Sequence, residues 1–373
     1  MKRFYVGTAI LLLILLSAGL ALAADTIRIG GFLPMTGAVA AYGQDANNGI
    51  KIAMEMKPTV LGKKVEFVVA DTKSDKIEAA NAMSRLIEKD KVIAVIGEMI
   101  SGDTMAGAPI AEKARIPVVS PTSTNPLVTQ GKKYVFRVCF IDPVQGDIAA
   151  KYAVNNLKAK KAALIVDRSQ DYCVGLAKFF KDAFTKLGGQ VAAETFCVTE
   201  DKDFSAQLST IKAADPDIIY APNYYSPVAL FTKQARELGV KAPVLTGDGA
   251  QADELILIGG KEVEGVALTG HFHVKAATTQ LARDFIPRYQ KKYHGEPSAF
   301  HALGADAYFV LLDAITRAKT TRGEAVREAL ATTKNFEAIS GKLSIGEDGN
   351  AVKPMVINVV KGGKFEYLTT INP

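Results

Sequence analysis

Two short hydroxyl-rich segments carry the most chemistry in this chain. Ser101-Gly102-Asp103-Thr104 follows the apolar run 92–97, and Ser120-Pro121-Thr122-Ser123-Thr124-Asn125-Pro126 follows Ile116-Pro117-Val118-Val119. Each reads as a buried parallel strand that stops and hands over a loop. In open α/β sheets, ligands sit outside the carboxyl ends of the strands. Hydroxyls and free backbone N–H groups there suit the holding of a small polar ligand rather than the breaking of one. Asp248, in Thr246-Gly247-Asp248-Gly249, sets a lone carboxylate at another strand end, although Asp-Gly is also a plain turn signal. Tyr172, after Asp171, and Tyr224-Tyr225, after Pro222-Asn223, also stand where strands end. Such amphipathic rings suit a ligand cleft, and equally a packed hinge.

Other chemistries lack their residues. The first strand-to-helix turn, Phe32-Leu33-Pro34-Met35-Thr36-Gly37, has no G-x-G-x-x-G, and there is no Walker loop, so nucleotide binding is not expected. His271-x-His273 has neither cysteines nearby nor a third ligand motif, and reads as a hinge strand rather than a metal site. No G-x-S-x-G elbow occurs and the chain has 4 His, which argues against a hydrolase. No cofactor is expected.

The elements that must position these loops alternate. Strand-like runs fall at 27–32, 65–71, 92–97, 117–120, 135–140, 163–167, 191–196, 217–221, 244–247 and 266–270. Amphipathic helices lie between them. One carries Ala46, Ile50, Ala53 and Met54, another Ala79, Ala82, Met83, Leu86 and Ile87, both at a period near 3.6. Alternating strands and helices imply parallel sheets covered on both faces. There are too many strands for one ordinary doubly wound sheet, so the expectation is an α/β protein of two lobes. The stretch 136–144 reads as a crossover between them. Helices are expected over 279–293 and 301–318. The end, 342–371, reads as hairpins around Gly346-Glu347-Asp348-Gly349-Asn350 and Gly362-Gly363.

The 373 residues suit about two domains. Lys2 and Arg3, the apolar run 9–16 and Ala21-Leu22-Ala23 form an export signal, so 1–23 is expected to be removed and the mature protein to lie outside the cytoplasm. No later segment reads as a transmembrane helix. Without Lys2 and Arg3, 43 Lys+Arg face 39 Asp+Glu, a mild and interspersed balance that points to no nucleic-acid partner. Export permits disulfides. Cys173 opens a helix and Cys197 ends the next strand near the same sheet edge, which makes them candidates for a bridge. Cys139 would then be a free buried thiol. The bland alternative is three small buried hydrophobes.

Taken together, these segments resemble the periplasmic leucine/isoleucine/valine-binding proteins, type I substrate-binding proteins of ABC transporters. The markers are Ile27-Arg28-Ile29-Gly30 through Pro34-Met35-Thr36-Gly37, Tyr42-Gly43, Val95-Ile96-Gly97, Ser120-Pro121-x-x-Thr124-Asn125-Pro126, Asp171-Tyr172-x-x-Gly175, Asp203-Phe204-Ser205, and Tyr224-Tyr225 followed by Gln234-Ala235-Arg236. Their order covers essentially the whole mature chain. The resemblance implies two α/β lobes joined by three crossings that close on ligand like a flytrap. Lobe one would be 25–140 plus 271–343, and lobe two 141–270 plus 344–373. It implies a non-enzymatic, monomeric receptor in the periplasm that delivers an amino acid to an ABC permease in the inner membrane.

By the same resemblance, Ser101 would hold the α-carboxylate. Thr124 would contact carboxylate and ammonium, with the Thr122 carbonyl nearby. Asp248 would pair with the ammonium, where a glutamate is usual. Tyr172 would bridge from lobe two, and Tyr42, Met99, Ile100 and Tyr224 or Tyr225 would surround the side chain. One departure stands out: Ile100 and the Lys73/Ser74 region occupy the places of the family's paired lobe-one cysteines. Alternatives are an amide, urea, or a small or aromatic carboxylate as ligand, and a sensory receptor in place of a transport one. Asp248 argues against the non-amino ligands, because they have no ammonium to pair with it.

Overall fold

The computed structural model describes residues 26–372, so the export signal expected over 1–23 lies outside the described residues. Strands β1 (Ile27–Leu33), β2 (Thr59–Val60), β3 (Lys63–Asp71), β4 (Ala94–Gly97), β5 (Val118–Ser120) and β6 (Val135–Arg137) form one sheet in the order β2-β3-β1-β4-β5-β6. Next come β7 (Lys161–Asp167), β8 (Gln190–Cys197), β9 (Ile218–Tyr220), β10 (Val244–Thr246) and β11 (Ala267–Gly270). A small antiparallel sheet follows, made of β12 (Phe336–Ala338), β13 (Gly341–Ile345) and β14 (Ala351–Val352). The last strands, β15 (Met355–Val360) and β16 (Phe365–Ile371), complete the second large sheet, ordered β16-β15-β11-β10-β9-β7-β8.

The core of each large sheet is parallel: Ile29 lies opposite both Phe67 and Ala94, and Leu164 opposite Tyr220. Antiparallel strands sit at the margins, β2 on β3 and β15 on β11. Parallel strands buried on both faces read as continuous apolar runs, which is why Ala94–Gly97 and Val118–Ser120 are wholly buried. Each expected run between 27 and 270 contains a strand. The run 135–140 stops early, at Arg137, because its last residues leave the sheet to cross to the other lobe. Strands β2 and β12 went unforeseen because two or three residues carry no usable period.

The chain passes between the lobes three times: over 138–141, over 271–274, and over 353–354. These crossings pack together. The Phe140 ring lies on His271 with centroids 3.9 Å apart, and Lys353 Nζ donates to the His271 carbonyl at 3.2 Å.

Two helices set the lobe-one wall of the cleft. Helix Ala40–Met56 buries Tyr42, Ala46, Ile50 and Ala53 along one stripe and packs on helix Ala299–Ala318. Glycines permit the approach: a Cβ on Gly49 would lie 2.0 Å from the His301 carbonyl oxygen, and one on Gly304 2.6 Å from that of Ala46. That crossing stacks Tyr42 on Phe300 with centroids 4.2 Å apart, a pairing that adds about 0.5–1.5 kcal/mol beyond burial. Helix Ala299–Ala318 has the length and apolarity of a membrane span, which the sequence reading did not anticipate, but 89% of its apolar window is buried. It is a core helix. Its Asp306 accepts from the backbone N–H groups of Ile339 (2.6 Å) and Ser340 (3.1 Å).

The Cys173–Cys197 bridge is corrected. All three cysteines are free and buried. Cys173 sits in the first turn of helix Asp171–Lys186 within the apolar core, and Cys197 closes β8 opposite Asp167. Burial first, and the Asp167 carboxylate second, raise the pKa of both thiols, that of Cys197 to about 12. Disulfide formation proceeds through a thiolate, which these surroundings suppress.

Candidate functional site

The lobe-one half of the site is built on Glu98, the residue after β4. Its side chain is fully buried and accepts from Thr72 Oγ1 at 2.8 Å and the Ile100 N–H at 2.5 Å. Its carbonyl accepts from the hydroxyls of Ser120 (2.7 Å) and Ser123 (3.0 Å). Thr122 Oγ1 donates to the Met99 carbonyl at 2.7 Å, and Ser101 Oγ accepts from the Asn125 N–H at 3.2 Å. The loops after β4 and β5 are thus stitched into one surface. Buried Arg137 holds it from below, donating to the carbonyls of Ser123 (2.6 Å) and Asn125 (3.0 Å). Burial, and then Asp103, raise the pKa of Glu98 well above the usual carboxylate range, and its hydrogen bonds make it a brace between the two loops. Ser101 is the first residue of helix Ser101–Ala114, whose opening N–H groups have no intrahelical acceptor and favour an anion.

The lobe-two half is built on Asp248, in the short turn after β10. Three donors grip its carboxylate: Gln145 Nε2 (2.9 Å) and Tyr172 Oη (2.8 Å) on Oδ1, and His271 Nε2 (2.9 Å) on Oδ2. Its fractional exposure is 4%. Tyr172 and Tyr224 stand as parallel rings, 5.5 Å between centroids.

The halves meet. Tyr42 Oη donates to the Gly249 carbonyl and Tyr225 Oη to the Ala38 carbonyl, the latter at 3.0 Å. Lys76 pairs with Asp171 at 2.7 Å, and Asn125 Nδ2 donates to the Asp171 carbonyl at 2.9 Å. The lobes are therefore closed. The cavity between them is about 10 Å³, barely room for one water, so admitting a ligand requires the lobes to part.

That cavity is lined by Tyr42, Met99, Ile100, Ser101, Thr122, Tyr172, Tyr224 and Asp248 from the sequence expectation, and by Gly249 and Phe300 besides. Two expected residues do not line it. Thr124 is fully buried, its hydroxyl without a well-formed partner, beside Asp142. Tyr225 spends its hydroxyl on the cross-cleft bond. The choice left open between Tyr224 and Tyr225 falls to Tyr224 as the lining residue.

Sequence reasoning missed Glu98, Asp142, Gln145 and Phe300, and it put His271 in a hinge strand without its contact to Asp248. Asp142 is fully buried and neither carboxyl oxygen has a well-formed partner. Burial, with Asp248 adding to it, pushes its pKa to about 8 against the pull of Thr124 and Arg137. The Asp142-Pro143 helix start was the one local signal that could have pointed there. The arrangement offers an anion-favouring loop on one lobe, a buried carboxylate on the other, and aromatic and aliphatic walls between. Among the described residues, no group of His, Cys, Asp and Glu is placed to hold a metal ion.

A family model described as periplasmic binding protein matches residues 26–364. Among solved structures, a leucine-binding protein, LivK, from Thermotoga maritima MSB8 is 51% identical, with 93% of this chain and 99% of that one covered at a TM-score of 0.92. The branched-chain amino acid transporter substrate-binding protein LivJ from Streptococcus pneumoniae, in complex with isoleucine, is 33% identical, with coverage of 94% and 100% and a TM-score of 0.88. A solute-binding protein of an ABC transporter from Rhodopseudomonas palustris BisB5, in complex with 3,4-dihydroxybenzoic acid, is 25% identical, with coverage of 93% and 98% and a TM-score of 0.84.

Proposed function

Because this chain belongs to the periplasmic binding protein family, whose members capture solutes and are not enzymes, we propose that it binds leucine, isoleucine or valine between its lobes and delivers it to an ABC permease. It would act as a monomer in the periplasm after loss of 1–23. Residues 26–140 plus 271–353 would move as one lobe, and 141–270 plus 354–372 as the other, the boundary expected at 343/344 shifting to the third crossing because β13 and β14 pair in the small sheet.

The observation that carries this reading is Asp248, a buried carboxylate beside the cavity and across it from the Ser101 helix start. A zwitterion answers both poles: carboxylate to the helix start, ammonium to Asp248. Neither buried charge is then left alone. Met99, Ile100, Tyr42, Tyr224 and Phe300 offer an apolar seat, and burying an aliphatic side chain contributes about 1.5–3 kcal/mol. Ligand shifts an open–closed equilibrium only by its differential affinity for the two states. Here the groups it would bridge lie on opposite lobes, so only the closed state satisfies both ends.

A second reading, an aromatic carboxylate, draws support from the tyrosine-rich lining and from the Rhodopseudomonas relative. A thermal-shift panel on ligand-stripped protein separates the two. Stabilisation by aliphatic amino acids but not by benzoates supports the first, through linkage of ligand to the folded state. Stabilisation by benzoates alone would overturn it.

A further inference from the structure

Resting on the reading of Asp248 as the ammonium's partner, we propose that His271 is a positioning residue: it fixes that carboxylate and joins it to all three lobe crossings, so that the ligand's ammonium is felt at the hinge. His271 opens the second crossing, directly after β11. Its ring lies on Phe140 of the first crossing, 3.9 Å between centroids. Its carbonyl accepts from Lys353 of the third crossing at 3.2 Å, and Lys353 donates in turn to Ser340 Oγ at 2.6 Å. One residue thus touches each crossing, its ring the first and its backbone carbonyl the third.

Its remaining polar contact reaches the site. Nε2 meets Asp248 Oδ2 at 2.9 Å, while Nδ1 has no partner and the residue is 1% exposed. With Asp248 accepting, the ring carries its proton on Nε2. Burial lowers its pKa against the pull of Asp248, which favours the neutral ring. A neutral donor orients Asp248 yet leaves its charge for the ligand, whereas an imidazolium would neutralise it in advance. Gln145 and Tyr172 both bind Oδ1, whereas His271 holds Oδ2. Any rotation of the crossing carries the ring, and with it the carboxylate, out of register.

The test compares His271→Leu, which keeps apolar bulk, with His271→Gln, whose amide N–H reaches about as far as Nε2. Calorimetry measures leucine and 4-methylpentanoate (leucine without its ammonium), small-angle scattering measures closure on adding leucine, and thermal unfolding of unliganded protein checks the fold. The expected result is a loss of leucine affinity of at least tenfold in His271→Leu, with incomplete closure. 4-Methylpentanoate should bind as to wild type, and His271→Gln should recover most of the loss. Equal losses for both ligands, or leucine binding within twofold of wild type in His271→Leu, would overturn the proposal while leaving Asp248 in its role. Wild-type protein that binds no α-amino acid would overturn both.

Discussion

Replacing Asp248 by Asn is the sharpest perturbation of the site. Asn keeps the shape and one oxygen for the Gln145 and Tyr172 donors, which lie 2.9 and 2.8 Å from Oδ1, so the local fold should survive. The charge is lost. Two unit charges about 4 Å apart at an effective dielectric near 20 attract by about 4 kcal/mol. Losing one partner of a buried, hydrogen-bonded charge pair costs about 2–5 kcal/mol. At about 1.4 kcal/mol per decade, that weakens leucine binding roughly 30- to 4,000-fold. Calorimetry on ligand-stripped protein reads it directly. 4-Methylpentanoate serves as the internal control, since a ligand without an ammonium should bind the variant no worse than wild type. If Asp248→Asn held leucine within threefold of wild type, the pairing of ammonium with this carboxylate would be refuted, and the branched-chain amino acid assignment would lose its main support.

Tyr42→Phe removes the cross-cleft bond to the Gly249 carbonyl. A neutral hydrogen bond contributes about 0.5–1.5 kcal/mol, so leucine affinity should fall roughly 2- to 12-fold, with stopped-flow showing most of the change in the dissociation rate. Lys353→Met removes the buried donor to the His271 carbonyl and Ser340 Oγ. Leaving those acceptors unsatisfied should cost about 1–3 kcal/mol of stability, read as a lower urea midpoint. Asp142 has a folded pKa of about 8 against an ordinary value of 3.8. The folded state therefore holds more protons than the unfolded one between those values, and stability is lost as pH rises through the folded pKa. Asp45 and Asp103, each pushed up to about 7 by burial, act in the same direction. The opposing contribution of buried His271 and His301 fades above the ordinary histidine value near 6.5, so unliganded protein should lose thermal stability from about pH 6.5 to 8, and Asp142→Asn should remove part of that slope.

Much of the site was legible because it is local. A strand that ends in hydroxyls, a lone Asp at a strand end and tyrosines after strands are short-range patterns, and the fold brings Ser101, Thr122, Tyr172 and Asp248 around one cavity. What escaped was long-range. Phe300 reaches Tyr42 only because Gly49 and Gly304 let two distant helices close. The pairing of His271 with Asp248 depends on where the second crossing leaves the sheet. Glu98 looked like an ordinary loop acid, and nothing in its neighbours announced a buried brace. Tyr225 was one residue from the lining position, and at a helix start one residue turns a side chain by roughly 100°. The cysteine expectation had the right neighbourhood, since Cys173 and Cys197 both lie beside Asp167. Sheet-edge proximity alone says nothing of how two thiols are turned.

Helix Ala299–Ala318 has a consequence beyond packing. A chain that leaves the cytoplasm unfolded presents this apolar stretch to the translocation channel before any lobe exists to hide it. By length and hydropathy it could be released sideways into the bilayer. Asp306, near its middle, opposes that, because an aspartate at the centre of a spanning segment costs about 2.5–3.5 kcal/mol on insertion scales. In an exported chain, the same carboxyl that receives the Ile339 and Ser340 N–H groups would also mark the segment for passage. Asp306→Leu would be expected to strand part of the chain in the membrane fraction, and full release to the soluble fraction would count against this double duty. One buried residue would then answer to two selections, export first and folding second.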